Sequence, residues 1–404
     1  RLLDHNPALQ AARARARTSS EMADDAARYP NPTFGILEEY TNLEGDGSDD
    51  QWFVTLTQPL DYPGETRSLR RSADAVETAA SARVQETAAA LYQRLRNRYL
   101  DVVMAQQRVE VLRRYRDAVD QAARAASVRY QEGDLGTFQN TRLAVAKAQY
   151  SNRFADAEQN LNAARRALAA LVMPRSALEG RQDAAPRYAV TGTPQFVPVQ
   201  VSDEGALRQA FARRNLLQAA DASLTAAEER LAATRYQQYP RLSVSAGPRR
   251  QAVPGATTYG YTAGIRVGLP LWNGGGATVE AQRGRRNAAA ADREAARRTV
   301  ETQVRNAIDR VTNYRDRIQA LSQGTLAETD SLLHNALYVY QEGEIGLVAL
   351  LDAIGAARDA QLLRLDLTAG YLRSLYTLEF ALGVGPTDDP LLVKGALEPR
   401  NASL

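Results

Sequence analysis

Apolar residues along the chain follow two rhythms, and each predicts its own kind of element. Between Glu65 and Glu132 there is neither Gly nor Pro, and Leu91, Leu95, Val102, Val109, Leu112 and Val119 are spaced four, seven, seven, three and seven. That is a heptad seam, the period of helices that wind around neighbours. Ala, Arg, Glu and Gln fill the positions between, residues that lose little on entering a helix. The stretch predicts one continuous helix, roughly 100 Å long at 1.5 Å per residue. Arg94, Arg96, Arg98, Arg113 and Arg114 can keep their heads in water beside it. A filament-type coiled coil would carry the same pattern.

The second rhythm is alternation. In Thr258–Leu271, Tyr259, Tyr261, Ala263, Ile265, Val267 and Leu269 face one way, and Gly260, Thr262, Gly264, Arg266 and Gly268 the other. One side apolar with aromatics at one end, the other small and polar, fits a transmembrane strand between lipid and water. A soluble sheet with one buried face alternates likewise. Thr33–Thr41, Gln51–Leu60 and Arg241–Pro248 read as three more strands, with 42–50 and 249–257 as polar, turn-rich loops.

Further helices are expected over Asn6–Arg28, ended by Pro30 and Pro32, over Thr137–Met173 and over Ser202–Arg235. After Pro270-Leu-Trp-Asn-Gly-Gly-Gly276 a second long helix runs to Gln341, interrupted by Gly284 and Gly324, with Val304, Ile308, Val311 and Ile318 repeating the seam. Pro174, Pro186, Pro194 and Pro198 mark a linker without periodicity.

The order of elements is duplicated, as are particular residues. Tyr130-Gln-Glu-Gly-Asp-Leu135 recurs as Tyr340-Gln-Glu-Gly-Glu-Ile345, and Tyr29-Pro30 as Tyr239-Pro240, each 210 positions later. We place the first repeat at 1–203 and the second at 204–404, barrel strands at about 33–60 and 241–271, and tip turns at about 130–140 and 340–352. In each repeat the shorter helices add up to about the length of the long one, so a split rod can lie along a whole one. Four strands cannot close a barrel, and an open sheet edge cannot sit in lipid. Three copies supply twelve strands. The expected fold is mainly α with a β-barrel part: a long α-helical coiled-coil barrel continuous with a transmembrane β-barrel, built on a tandem repeat.

Composition removes several function classes. Cys is absent from the 404 residues and His occurs only as His5 and His334, so no resident metal centre is expected. Met22, Met104 and Met173 are scattered and read as core fillers. No nucleophile motif or phosphate loop is present, and Asn273-Gly-Gly-Gly276 lacks the Lys-Ser/Thr that a phosphate loop needs. No enzyme activity and no cofactor are expected. The net charge of +3 is spread along helices of alternating sign, which argues against nucleic acid as a partner. No run of 18 apolar residues occurs, so a transmembrane helix is not expected. The chain starts at Arg1 inside a helical pattern, as a product trimmed of an export signal would.

Several ordered pieces resemble the outer-membrane factor (TolC) family of efflux ducts. They are Tyr29-Pro-Asn-Pro-Thr-Phe34, the strand exit Thr57-Gln-Pro-Leu-Asp-Tyr-Pro-Gly-Glu-Thr-Arg67, its counterpart Leu269-Pro-Leu-Trp-Asn-Gly-Gly-Gly276, the paired turns, Leu161–Leu168 and Tyr371–Gly383. The exit after Thr57 is most similar to the CzcC-like heavy-metal branch; Tyr62-Pro63 departs from it, and Trp272–Gly276 resembles the drug-efflux branch as much. The resemblance implies a homotrimer in the bacterial outer membrane that extends into the periplasm. It would be a passive exit for metal ions or small toxic compounds, partnered by a periplasmic adaptor and, through it, an inner-membrane transporter. The reading from the residues alone leaves a soluble periplasmic coiled-coil adaptor as the alternative.

The resemblance also implies roles for the turns. Gly133, Leu135, Gly136 and Thr137, with Gly343, Ile345, Gly346 and Leu347, occupy the place where such ducts meet an adaptor. Gly133 and Gly343 can equally be left-handed helix caps. Asp352 falls where the family places an acid lining the closed tip, with Arg142 as its repeat counterpart, although an Asp one turn into a helix can also simply favour the helix dipole.

Overall fold

The computed structural model describes residues 5–42, 47–132, 136–173, 190–322, 329–386, 388 and 397–398. Among them run α1 (Pro7–Ala26), β1 (Thr33–Asn42), β2 (Ser48–Leu60), α2 (Pro63–Gln131), α3 (Thr137–Val172), β3 (Thr193–Pro194), α4 (Asp203–Arg213) and α5 (Asn215–Arg235). β4 (Arg241–Val253), β5 (Ala256–Gly268), α6 (Gly276–Ser322), α7 (Thr329–Gln341), α8 (Leu347–Ala381) and β6 (Leu397–Glu398) follow. Helix, two strands, long helix and returning helix thus occur twice, an internal repeat. No described helix is long and apolar enough to cross a membrane. Gly324 lies outside the described residues, between α6 and α7.

Proline costs little at the first position of a helix, where its missing N–H would be unpaired anyway. Pro63 therefore opens α2, two residues earlier than its lack of breakers predicts, and Glu65 in the first turn complements the dipole. Of the heptad positions, Leu91, Val102, Leu112 and Val119 in α2 and Val304, Ile308 and Val311 in α6 are buried, while Leu95, Val109 and Ile318 are half-buried.

The chain forms two compact units, one of Arg1–Ala11, Gln85–Arg214 and Arg298–Leu404, the other of Ala12–Val84 and Asn215–Arg297. In the first, α2 and α8 run antiparallel and are pinned by a polar ladder. Gln93 bonds Thr377 (3.2 Å), Arg96 pairs with Glu379, Arg373 with Asp101 (2.7 Å), and Arg108 grips both oxygens of Asp366 (2.9 and 3.0 Å). Arg96 also lies 4.0 Å from the Tyr376 ring centre, and burial pushes the Tyr376 hydroxyl up to about 12. The described part of the Pro-rich linker is packed, not loose. The Gln106 amide exchanges two hydrogen bonds with Val190, and the Tyr371 hydroxyl donates to the Val197 carbonyl (2.8 Å) while accepting from the Val199 N–H (3.0 Å). A two-residue antiparallel ladder, Thr193–Pro194 against Leu397–Glu398, completes it.

The single helix expected over Ser202–Arg235 is two, α4 and α5, because the chain turns extended at Arg214 (ψ 116°). Arg214 is 2 % exposed. Its guanidinium donates to Gln303 (2.8 Å) and to the Phe380 carbonyl, pairs with Glu86 (3.0 Å) and lies 3.9 Å from the Phe380 ring centre. Burial lowers its pKa, opposed by the Glu86 carboxylate.

The second unit holds the main sheet, of order β1-β2-β4-β5 with every neighbour antiparallel. β1 and β5 are its edges. Residues 249–257, expected as a loop, are strand apart from a tight turn. Val253 faces Ala256 across Pro254 and Gly255, and Gly255 takes the φ of +84° that favours glycine. β2 likewise begins at Ser48, earlier than expected. Polar residues on both faces hide these strand ends from a pattern built on apolar alternation. Between β2 and β4 the ladder lapses at Val54 and Thr55, opposite Gly247 and Pro248. Pro248 has no N–H to give, and a Cβ on Gly247 would overlap the Val54 carbonyl.

Candidate functional site

Antiparallel register sorts the sheet into two faces, because side chains alternate along each strand. Val267, Leu242, Leu60 and their alternates share one face: Phe34, Ile36 and Tyr40 of β1, Trp52, Val54 and Leu56 of β2, Val244 and Ala246 of β4, Tyr259, Tyr261 and Ile265 of β5. This apolar face is bare, with Tyr261 92 % and Ile265 76 % exposed. Leu242 to Arg250 covers roughly 27 Å of strand at ~3.4 Å per residue, enough for the ~25 Å apolar band of a tilted transmembrane strand. Tyr40, Trp52, Tyr259 and Tyr261 sit toward the hairpin ends, with Glu38, Asp50 and Arg250 as a polar rim. Tyr239 and Trp272 are exposed beyond the other end of the strands. Paired aromatic belts of this kind mark the two surfaces of a bilayer.

The opposite face is mostly small and polar, with Thr33, Gly35, Thr55, Thr57, Ser243, Ser245, Gly247, Gly260, Thr262, Gly264 and Arg266, and with Leu37 and Phe53 as large apolar side chains. Near the hairpin ends Gln251 donates to both Asp49 oxygens (3.1 and 3.0 Å) and accepts from Arg249 (2.6 Å). At the base Arg241 grips Glu65 through two bonds of 2.6 and 2.8 Å, and Tyr62 donates to the Pro240 carbonyl (2.6 Å). Tyr62, Tyr236 and Tyr239 pack with ring centres 5.7–5.9 Å apart. Gly64 leaves room for Tyr236, whose hydroxyl a Cβ there would strike.

The turns expected to meet a partner lie in the helical unit, where α2, α3, α7 and α8 share a core of Tyr115, Val119, Ala122, Leu143, Tyr150, Tyr340, Leu350 and Ile354. Gly133 and Leu135 fall outside the described residues. Gly136 and Gly346 are the N-caps of α3 and α8, both extended, with open space where a Cβ would go. The Gly136 N–H donates to Gln139 (3.2 Å), and Thr137 is exposed. Gly343 follows α7 with φ +84°. Ile345 packs on the core, and Leu347 is buried in it. Asp352 and Arg142 are both exposed, beside buried Ile354 and Leu143.

Sequence reasoning treats the two turns as equivalent, and the structure separates them. Tyr340 is 2 % exposed, whereas Tyr130 is 41 % exposed. Arg129 makes the difference. It donates to the carbonyls of Tyr340 (3.3 Å) and Gln341 (3.1 Å) and lies 5.1 Å from the Tyr340 ring centre, neutralising the last turn of α7. Its repeat counterpart is Val339, so a mismatch between the repeats was the available signal. Deeper in the core Arg358 lies 5.1 Å from the Tyr150 ring centre, and burial pushes the Tyr150 hydroxyl up. His5 and His334 are exposed, and among the described residues no three of His, Asp and Glu converge.

A family model described as outer membrane efflux protein matches residues 1–172 and 206–384. The chain is 23% identical over 355 residues to the cobalt-zinc-cadmium resistance protein CzcC of Cupriavidus metallidurans, covering 88% of this chain and 81% of that one. Among solved structures it is similar to the outer membrane protein VceC from Vibrio cholerae, with TM-score 0.76 and 20% identity over 95% of this chain and 94% of that chain. CusC, whose structures describe folding and transmembrane channel formation, gives TM-score 0.72 and 18% identity over 95% and 91%.

Proposed function

Because the chain belongs to the outer membrane efflux protein family, a family of outer-membrane channels, we propose that three copies close their sheets into one twelve-stranded barrel and form the exit duct of a tripartite efflux pump. The observation that carries this reading is the four-stranded sheet with one bare apolar face, one polar face and two open edges. Lipid covers the apolar face, water fills the side lined by the polar one, and each β5 edge pairs with the β1 edge of the next copy. The duct performs no chemistry; the energy for transport comes from an inner-membrane transporter, reached through a periplasmic adaptor. A soluble adaptor, the alternative, would leave the apolar face uncovered in water.

Similarity to a cobalt-zinc-cadmium resistance protein favours divalent metal ions as cargo. In detergent the native mass should equal three chains, and the purified protein should open steady conductances in planar bilayers. A monomer soluble without detergent, or trimers that conduct nothing, would sink the duct.

Within that reading the turns at Gly136–Thr137 and Ile345–Gly346 meet the adaptor, and Asp352 forms a ring of three carboxylates at the narrow end. Such a ring favours cations, most strongly at low salt. Asp352→Asn should lower cation over anion permeability and weaken block by multivalent cations. Unchanged reversal potential and block would leave Asp352 with the dipole role alone.

A further inference from the structure

Ionisable side chains on the polar face of the sheet are Glu39, Asp49, Arg241, Arg249 and Arg266. Most are compensated. Arg241 is held by Glu65, with Asp61 3.7 Å away. Arg249 and Asp49 are joined through the Gln251 amide. Glu39 stands near the hairpin end, opposite Gln51.

Arg266, like Glu39, has no ion pair among the described residues, and it stands at the other end of the face. Its neighbours on the same face of β5 are Gly264 and Gly268, and Ser243 stands opposite on β4. No side chain there is large enough to cover it, and the residue is exposed. Among the described residues no hydrogen bond or ion pair engages its guanidinium. A permanently charged group raised on a bed of glycine and serine, on the water side of a lipid-facing strand, projects into the lumen.

We propose that Arg266 biases its end of the exit barrel toward small anions, presenting one guanidinium per chain to the lumen and working against the cation preference of Glu39 near the hairpin ends and of the Asp352 ring at the tip. This rests on the three-copy barrel proposed above, in which the three groups stand at one height. Their field spans a lumen filled with ~0.01 M salt, where the screening length is ~30 Å, and collapses at ~1 M, where it is ~3 Å. The influence is therefore a salt-dependent selectivity and leaves the conductance pathway open at any salt.

These 404 residues contain no Cys, so Arg266→Cys places the one thiol among them. In planar bilayers under a KCl gradient at low salt, Arg266→Gln should lower the chloride over potassium permeability ratio by about twofold or more, while Arg266→Lys keeps the wild-type ratio. A sulfonate-bearing thiol reagent added to open Arg266→Cys channels should push the ratio further toward potassium, and an ammonium-bearing reagent should return it toward wild type. Both shifts should vanish at ~1 M salt. Channels of normal conductance whose ratio ignores Arg266→Gln, or whose thiol does not react, would overturn the assignment of Arg266. Wild-type protein that opens no channel would instead overturn the barrel on which it rests.

Discussion

Gly346→Trp should abolish efflux in cells while the amount of assembled protein in the outer membrane stays unchanged. The position caps α8 in an extended conformation, and nothing lies within 4 Å of where a Cβ would stand. A Cβ there meets nothing among the described residues. In the docking role proposed above, what bulk there would obstruct is the approach of another chain, since a glycine at a turn lets backbones meet closely. Gly136 caps α3 in the same way and is equally open. The double variant Gly136→Trp, Gly346→Trp is therefore the decisive one. Efflux measured by intracellular accumulation, alongside blots of the outer-membrane fraction, separates loss of docking from loss of protein. Persisting efflux in the double variant would remove the turns from the docking surface.

Arg214→Ala should cost about 3–5 kcal/mol, the usual loss when one partner of a buried charge pair is removed. Glu86, Gln303 and the Phe380 carbonyl would all lose their donor, and the Phe380 ring its cation. Arg214→Lys keeps the charge but not the planar fork that reaches several acceptors, so it should recover only part of the loss. Thermal unfolding of the detergent-purified protein, followed by circular dichroism, reads both variants. A melting temperature for Arg214→Ala equal to wild type would show that the break between α4 and α5 is held by backbone and packing alone.

The heptad seams announced the long helices and the faces they bury, because apolar positions recur every seven residues almost solely in helices that supercoil on a neighbour. Alternation in β5 announced which side chains share a face. The strand ends were less legible. In Arg249–Val253 polar residues occupy both faces, and only cross-strand partners such as Asp49 and Trp52 reveal the pairing.

Arg214 hid for another reason. Ala206, Ala210 and Leu217 form a buried stripe, and position 214 falls on it. A charge in an apolar stripe is a legible warning, but no Gly or Pro between Ala206 and Tyr239 marks a break there. The linker residues 190–199 carry no periodicity, because their order comes from Gln106 and Tyr371, 84 and 174 positions away from their partners in sequence. Arg266 and Gly346 were visible as residues. Only the register and the empty space around them say what they can do.

The two edge strands tie biogenesis to stoichiometry. β1 and β5 each offer a row of unpaired N–H and C=O groups, 10 and 13 residues long, and lipid accepts neither. A barrel made from one chain can close as it enters the bilayer, whereas among the described residues the four-stranded sheet leaves both of its edges open. In the three-copy barrel proposed above, insertion and subunit assembly would be one event, whose rate would climb steeply with the local density of chains. Until that event the same edges are templates for pairing with any extended segment nearby. A chaperone that shields edge strands would serve this protein most between export and assembly.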